Sequence, residues 1–258
     1  MSTKLTVKQS NDWIVFVNQD INFMGYTNNI PETWEVVSKL NWYINEKELA
    51  EKRKCYIYTG SNRYGTYPKL HQIIMILMYS LEDLKLSYSK GFIVEHHDNK
   101  AANCSIENLS FAHNDYNLTK AHSYDKKQPL LKNKAAVNFF KDFKTQKYQI
   151  TIGFSEEFEA QTNDGQNILV DSVRMLYQNH FGIVCLDAIK IVKNLSEFGK
   201  LDFTKLSYEK IKTTVATYVY SQQPLKELLF TDGYLIVPES LKGKIIYDSV
   251  APDEDLYN

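Results

Sequence analysis

Residues 94–109 read V-E-H-H-D-N-K-A-A-N-C-S-I-E-N-L, and this polar stretch decides how the surrounding chain folds. Residues 91–94 form a short run of β-forming residues, and residues 108–112 form a second such run. Residues 98–105 lie between the two runs and have the composition of a loop. The pattern predicts two short strands joined by a polar loop, and residues 114–122 predict a helix after them.

The spacing of the polar residues resembles the motif of the HNH homing endonucleases, which typically reads V-D-H-I-D-G-N-x-x-N-N-x-x-E-N-L and has a further Asn eight residues after the Leu. The alignment needs no gap and covers residues 56–120, less than half of the chain. Residues 69–74 also look like the H-R-L-V-A lead-in of the family. The characteristic positions are occupied by Val94, His96, Asp98, Asn103, Glu107, Asn108, Leu109 and Asn117.

This resemblance implies a ββα-metal nuclease unit with assigned residue roles. His96 would be the general base, because a neutral imidazole can accept a proton from water near pH 7. Glu95 and Asn117 would bind a divalent metal, Mg²⁺ in the first place and otherwise Mn²⁺, through oxygen atoms. Asn108 would fix the loop between the strands through side-chain hydrogen bonds. The implied reaction is in-line hydrolysis of a DNA phosphodiester.

Three positions depart from the family motif. Glu95 stands where the family usually has Asp, which keeps the charge but adds a methylene group. Asn99 replaces the usual turn Gly, and Asn tolerates the left-handed conformation that this turn needs. His97 replaces an apolar residue, so His97 would be the base if the strand register differs. The gapless alignment favours His96.

The charge of the chain is segregated although its net value is only -1. Residues 51–150 contain 16 Lys or Arg and 9 Asp or Glu, a balance of +7, so the remainder sums to -8. The basic stretch between Asp125 and Lys147 predicts contact with the phosphates of double-stranded DNA, although its lysines could also form an ordinary solvated surface. The candidate DNA-binding lysines are Lys120, Lys126, Lys127, Lys132 and Lys134.

The fold class predicted from the remaining patterns is α+β in three parts. Residues 1–125 would hold the HNH unit in an N-terminal scaffold, residues 126–147 a basic connecting arm, and residues 148–258 a smaller α+β module for target recognition. Strands are predicted at 13–17, 55–58, 148–154 and 234–237, and helices from Pro31, over 186–198 with Gly199 as the stop, and over 208–218. Residues 70–75 could be helix or strand, and residues 253–255 predict a mobile acidic tail.

The cysteines and the apolar runs bear on the location of the protein. Cys55, Cys104 and Cys185 are widely spaced and form no C-x-x-C pair, which favours a reducing cytoplasm over a disulfide framework. The longest apolar run is too short to span a membrane, and the N-terminus has no apolar signal-peptide core. We therefore expect an intracellular protein without a membrane partner. The frequent use of Asn, Lys, Ile and Tyr is typical of an AT-rich genome such as that of a phage. A monomer and a homodimer both stay open.

The function predicted from these observations is a metal-dependent DNA endonuclease of the homing type. A restriction or packaging nuclease would use the same chemistry. A protein of another class, which binds DNA or has a structural role on a catalytically decayed HNH scaffold, is the main alternative, and Glu95 is the residue that favours it. His71 has apolar neighbours and is expected to be a packed core residue rather than a ligand.

Overall fold

The computed structural model describes residues 2–50, 54–113, 135–161, 165–178, 180–215, 218–221, 229–231, 234–239 and 252–258. The chain divides into two compact units, Met1–Phe111 and Ala112–Asn258. Both units combine helices with mostly antiparallel strands, which confirms the α+β class. Within the described ranges, no helix combines the length and apolar character needed to cross a membrane.

The first unit begins with a five-stranded antiparallel sheet in the order β3-β2-β1-β4-β5. Alternate residues of its strands are buried, including Ile14 and Phe16 on β2 and Trp42 and Ile44 on β4. The strand predicted at 13–17 is confirmed, whereas the one predicted at 55–58 is strand only at its last position. The strands are β1 Ser2–Gln9, β2 Trp13–Asn18, β3 Phe23–Asn28, β4 Trp42–Asn45 and β5 Tyr58–Thr59.

Three helices belong to this unit: α1 Pro31–Val37, α2 Leu70–Met78 and α3 Leu81–Ser89. Pro31 occupies the first turn of α1, as predicted. The choice left open for residues 70–75 is decided in favour of helix, because Leu70, Ile73 and Ile74 are buried at helical spacing. Strands β6 Phe92–His96 and β7 Leu109–His113 are neighbours and flank the predicted loop.

The second unit contains four antiparallel strands in the order β11-β10-β9-β8, with the long helix α4 Phe181–Phe198 packed on β8 and β9. Gly199 ends α4 in the left-handed conformation at φ +61°, which confirms the predicted stop. A smaller sheet has the order β12-β14-β13. The strands are β8 Ala135–Lys141, β9 Tyr148–Gln161, β10 Asn167–Tyr177, β11 Lys210–Val215, β12 Tyr218–Ser221, β13 Leu229–Thr231 and β14 Tyr234–Pro238.

Three expectations for this unit need correction. The helix predicted over 208–218 is wrong, since residues 210–215 form β11, where β-branched side chains suit a strand paired with β10. Residues 135–141 of the predicted connecting arm form β8, with Phe139 buried. The acidic tail is held rather than mobile, because Lys212 Nζ lies 2.9 Å from Asp253 Oδ1 and the short helix α5 Glu254–Tyr257 buries Leu256.

Candidate active site on β6 and β7

Asn108 holds the loop between β6 and β7 closed. Its Nδ2 donates to Asp98 Oδ1 at 3.0 Å and to the carbonyl oxygen of Asn103 at 2.9 Å. Its Oδ1 accepts from the backbone N–H of Asp98 at 3.0 Å. One amide side chain therefore links Asp98 and Asn103 to the residue that directly precedes β7.

The Asp98 carboxylate is the second group that makes several hydrogen bonds within this loop. It accepts hydrogen bonds from Asn103 Nδ2 at 2.9 Å and from the backbone N–H of Lys100 at 2.9 Å, besides the one from Asn108. Burial raises the pKa of Asp98, but these hydrogen bonds outweigh burial and leave the pKa below its usual value. Asp98 is therefore a charged structural residue at neutral pH, with its oxygens engaged inside the loop.

The turn after Asp98 has the backbone conformation expected from the motif. Asn99 adopts φ +56°, in the left-handed region, where the family usually has Gly. The backbone N–H of Asn99 donates to the carbonyl oxygen of His96 at 3.0 Å and closes the turn. The left-handed conformation expected at this position is thus present with Asn as the residue.

The loop also docks on β3, which sequence reasoning missed. The backbone N–H of Tyr26 donates to the carbonyl oxygen of Ala102 at 3.0 Å, and the N–H of Cys104 donates to the carbonyl oxygen of Tyr26 at 2.9 Å. Gly25 permits this approach, because a Cβ there would lie 2.5 Å from Ile57 Cδ1 and 2.9 Å from the oxygen of Ala102. Only the glycine offered a signal, and it stands far from the motif in sequence.

His96 lies on the buried face of β6, where only 6% of its surface is exposed. Its ring packs edge to face on the ring of His71, with centroids 4.9 Å apart, and its Nε2 lies 4.0 Å from Cys104 Sγ. Burial lowers the pKa of His96 to about 4, although the charge of Asp98 partly opposes this shift. The imidazole is therefore neutral at pH 7, and it can take up a proton only weakly.

Glu95 lies on the other face of the strand. Residues 92, 94 and 96 of β6 are buried while residues 93 and 95 are half-buried, so Glu95 and His96 point in opposite directions. The negative charge of Glu95 affects the ionisation of Tyr56. Burial raises the pKa of Tyr56, and the charge of Glu95 raises that pKa further. The charge of Glu95 therefore acts on Tyr56, an effect that the sequence did not indicate.

His71 is buried in α2, as expected, with 5% of its surface exposed. The unexpected feature is the pair of rings around it, because the ring of His71 lies 5.1 Å from that of Tyr56 and 4.9 Å from that of His96, centroid to centroid. Burial lowers the pKa of His71 well below its usual value, and the neighbouring His96 lowers it further. His71 is therefore a neutral side chain that supports the ring of His96.

Several predicted site residues lie outside the described residues, namely Asn117, Lys120, Lys126, Lys127, Lys132 and Lys134. Among the residues that the structure describes, no group of three or more His, Cys, Asp or Glu side chains is arranged to hold a metal ion. The ligand pair implied by the motif is smaller than such a group, and the carboxylate of Glu95 has the hard oxygen donors that Mg²⁺ or Mn²⁺ prefers. His97 is half-buried, and its backbone N–H donates to the carbonyl oxygen of Asn108 at 2.9 Å.

The described part of the site thus combines a loop closed by Asn108, a carboxylate at Glu95 and a buried imidazole at His96. The three cysteines Cys55, Cys104 and Cys185 are buried thiols.

No protein-family model, no curated protein and no solved structure matches this chain.

Proposed function

We propose that this protein is a metal-dependent DNA endonuclease with an HNH-type site on β6, β7 and the loop between them. The observation that carries the proposal is the set of three hydrogen bonds made by Asn108, which close the loop between β6 and β7. The motif's adjacent carboxylate and imidazole, Glu95 and His96, stand at the end of β6 where that loop begins.

In this proposal, His96 accepts the proton of the attacking water, for which its neutral form at pH 7 is required. The low pKa of about 4 makes this base weak in the free protein. Glu95, together with Asn117, would hold Mg²⁺ or Mn²⁺. When bound, the cation would supply positive charge that stabilises the phosphate in the transition state.

The DNA contacts are proposed from charge and from position in the chain. The excess of +7 over residues 51–150 suits a partner with a phosphate backbone, and the candidate lysines between 120 and 134 follow directly after the motif. The second unit would read the target site, since the motif itself provides few side chains for base edges. A single site cuts one strand, so a monomer would nick and a homodimer would cut both strands.

A DNA-binding protein without cleavage is the second candidate, and the burial of His96 favours it. With 6% of its surface exposed and its ring packed on His71, His96 has little room for a water molecule in the described arrangement. Cleavage would require the ring to become accessible when DNA binds. The replacement of Asp by Glu95 favours the same candidate.

Plasmid cleavage separates the two candidates. Supercoiled DNA is incubated with the protein and Mg²⁺, Mn²⁺ or EDTA, and binding is measured in parallel by gel shift in EDTA. Nicked or linear product that appears only with metal supports the endonuclease. Binding without any product in either metal supports the DNA-binding protein instead.

A further inference from the structure

A cleft of about 620 Å³ opens in the first unit where β1, β4, β5 and the start of α2 come together. Ser2 at the start of β1 pairs with Asn45 at the end of β4, and Tyr58 on β5 forms a bridge with Lys69, which precedes α2. The volume lies within the range of about 300–1,000 Å³ that is common for small-molecule sites. The sheet and the start of α2 therefore build a site-sized hollow.

The polar lining of this cleft is mainly cationic. Lys47, Lys54 and Lys69 contribute three ammonium groups, and Glu48 contributes one carboxylate. The position of Glu48 is fixed by a hydrogen bond of 3.1 Å that Asn45 Nδ2 donates to its Oε1. Three cations against one anion favour an anionic ligand.

The other part of the lining is aromatic. Lys69 Nζ lies 3.9 Å from the ring centroid of Tyr56, which is a cation–π contact. The hydroxyl group of Tyr58 is 2.6 Å from Ser2 Oγ, and its ring lies 6.1 Å from that of Tyr43. Tyr56 and Tyr58 thus bring aromatic rings into the lining of the cleft, next to the lysines.

Cations beside aromatic rings match the two chemical parts of a nucleotide. The phosphate suits the lysines, and the sugar and base suit the tyrosines, a combination that recurs where proteins bind single-stranded nucleic acid. A small inorganic anion would use the lysines alone. The aromatic surface therefore favours a nucleotide over phosphate as the ligand.

We propose that this cleft binds one nucleotide of a DNA strand, with its phosphate at Lys47 and Lys54 and its base or sugar against the tyrosines. The inference rests on the proposed function and deepens it, because Tyr56 connects the cleft with the candidate site. The Tyr56 ring lies 5.1 Å from that of His71 and 6.1 Å from that of His96, centroid to centroid. Tyr56 therefore belongs both to the lining of the cleft and to the ring cluster around the histidine pair.

The test measures binding by calorimetry on the full chain in EDTA, so that no cleavage occurs. The probes are inorganic phosphate, thymidine 5′-monophosphate and a single-stranded thymidine hexamer. We expect thymidine monophosphate to bind at least about tenfold more tightly than phosphate, and the hexamer to compete with it. Equal affinity for phosphate and the nucleotide, no binding of the nucleotide, or no competition by the hexamer would each overturn the proposal.

Charge variants locate the ligand in the cleft. Lys47 and Lys54 are exposed, so the double variant Lys47→Gln, Lys54→Gln should fold, which a thermal melt checks. We expect this double variant to bind the nucleotide about tenfold more weakly. For hexamer binding, the slope of the logarithm of the association constant against the logarithm of the salt concentration should become shallower by about one to two. The matched control Lys85→Gln, Lys90→Gln removes two exposed charges outside the cleft and should bind as the wild type does.

Glu48→Gln should change the nucleotide affinity in the opposite direction from the lysine variants. It removes the carboxylate from the cleft and keeps a side-chain oxygen that can accept from Asn45, so nucleotide affinity should rise severalfold. Unchanged affinity in both the double lysine variant and Glu48→Gln would place the ligand elsewhere and overturn the proposal. Plasmid cleavage by the same proteins separates this inference from the proposed function. Nucleotide binding in the cleft without any plasmid cleavage would contradict the endonuclease proposal alone. Plasmid cleavage together with unaltered nucleotide binding in these variants would contradict the cleft proposal alone.

Discussion

The imidazole ring of His71 on α2 stands perpendicular to that of His96 on β6, with ring centroids 4.9 Å apart. Burial is the main reason that the pKa values of both histidines lie below the usual value. A proton on either ring is therefore unfavourable in the folded protein. The basicity of the candidate catalytic residue is thus tied to a packing partner from another element.

Folding stability should depend on pH through this pair. His71 has a lowered pKa in the folded state and an ordinary one of about 6.5 in the unfolded chain, so its contribution is complete above that value and is lost as pH falls towards the folded pKa. Between about pH 6.5 and 5, His71→Gln should reduce the slope of the unfolding free energy against pH by up to about 1.4 kcal/mol per pH unit. Urea denaturation at several pH values measures this slope.

His180→Gln is the control for the pH experiment, because His180 is an exposed histidine of the second unit. Its slope should remain that of the wild type. A His71→Gln variant that loses stability as steeply as the wild type on acidification would show that His71 does not stay neutral in the folded protein.

The loop between β6 and β7 should depend on the side chain of Asn108. Asn108→Ala removes three partly buried hydrogen bonds made by a buried side chain, so we expect a loss of about 1–3 kcal/mol of unfolding free energy. Asn108→Asp keeps an acceptor but loses the Nδ2 donor and adds charge beside Asp98, so its loss should be at least as large. Chemical denaturation measures both variants.

Asn11→Ala serves as the comparison for these variants, because Asn11 is exposed and only its backbone oxygen accepts a hydrogen bond. Its effect should stay within about 0.5 kcal/mol. If Asn108→Ala were as mild as Asn11→Ala, the loop would be held by its other contacts.

The approach of β3 to the loop should not tolerate a side chain at residue 25. Gly25→Ala places a Cβ 2.5 Å from Ile57 Cδ1 and 2.9 Å from the oxygen of Ala102, so the loop or β3 must move, at a cost of about 1–3 kcal/mol. Gly60→Ala is the matched control, since a Cβ at residue 60 meets nothing within 4 Å. Thermal denaturation compares the two, and equal melting temperatures would contradict the close approach.

The proposed chemistry predicts different defects for neighbouring residues. His96→Ala should slow single-turnover cleavage of supercoiled plasmid by about 10²- to 10⁴-fold with DNA binding retained. Glu95→Ala should weaken the response to Mg²⁺, because it removes the anionic ligand. His97→Ala should be mild, and His180→Ala, which changes an exposed histidine of the second unit, should have no effect.

A magnesium titration of each variant, with gel shift as the binding measurement, tests this set. An inactive His97→Ala together with an active His96→Ala would make His97 the base, which is the alternative that the motif left open. Equal activity of all the variants and the wild type would remove the chemistry from this loop.

Local features of the site could be predicted from the sequence because they depend on residues close together in the chain. Asn99 adopts the left-handed conformation of the usual turn glycine, and Asn108 reaches only as far as Asp98 and Asn103. The end of α4 at Gly199 is local in the same way. In each case, backbone geometry and a short side chain suffice, so spacing in sequence translates into spacing in the structure.

The environment of His96 was decided only by the tertiary structure. Its neighbours His71 and Tyr56 come from distant positions, and burial, which sets its pKa, is a property of the packed unit rather than of the motif. The cleft near it likewise joins residues from separate elements, namely β1, β4, β5 and the start of α2. Residues 210–215 form a strand for the same reason, because pairing with β10 stabilises β-branched residues whose apolar spacing alone resembled a helix.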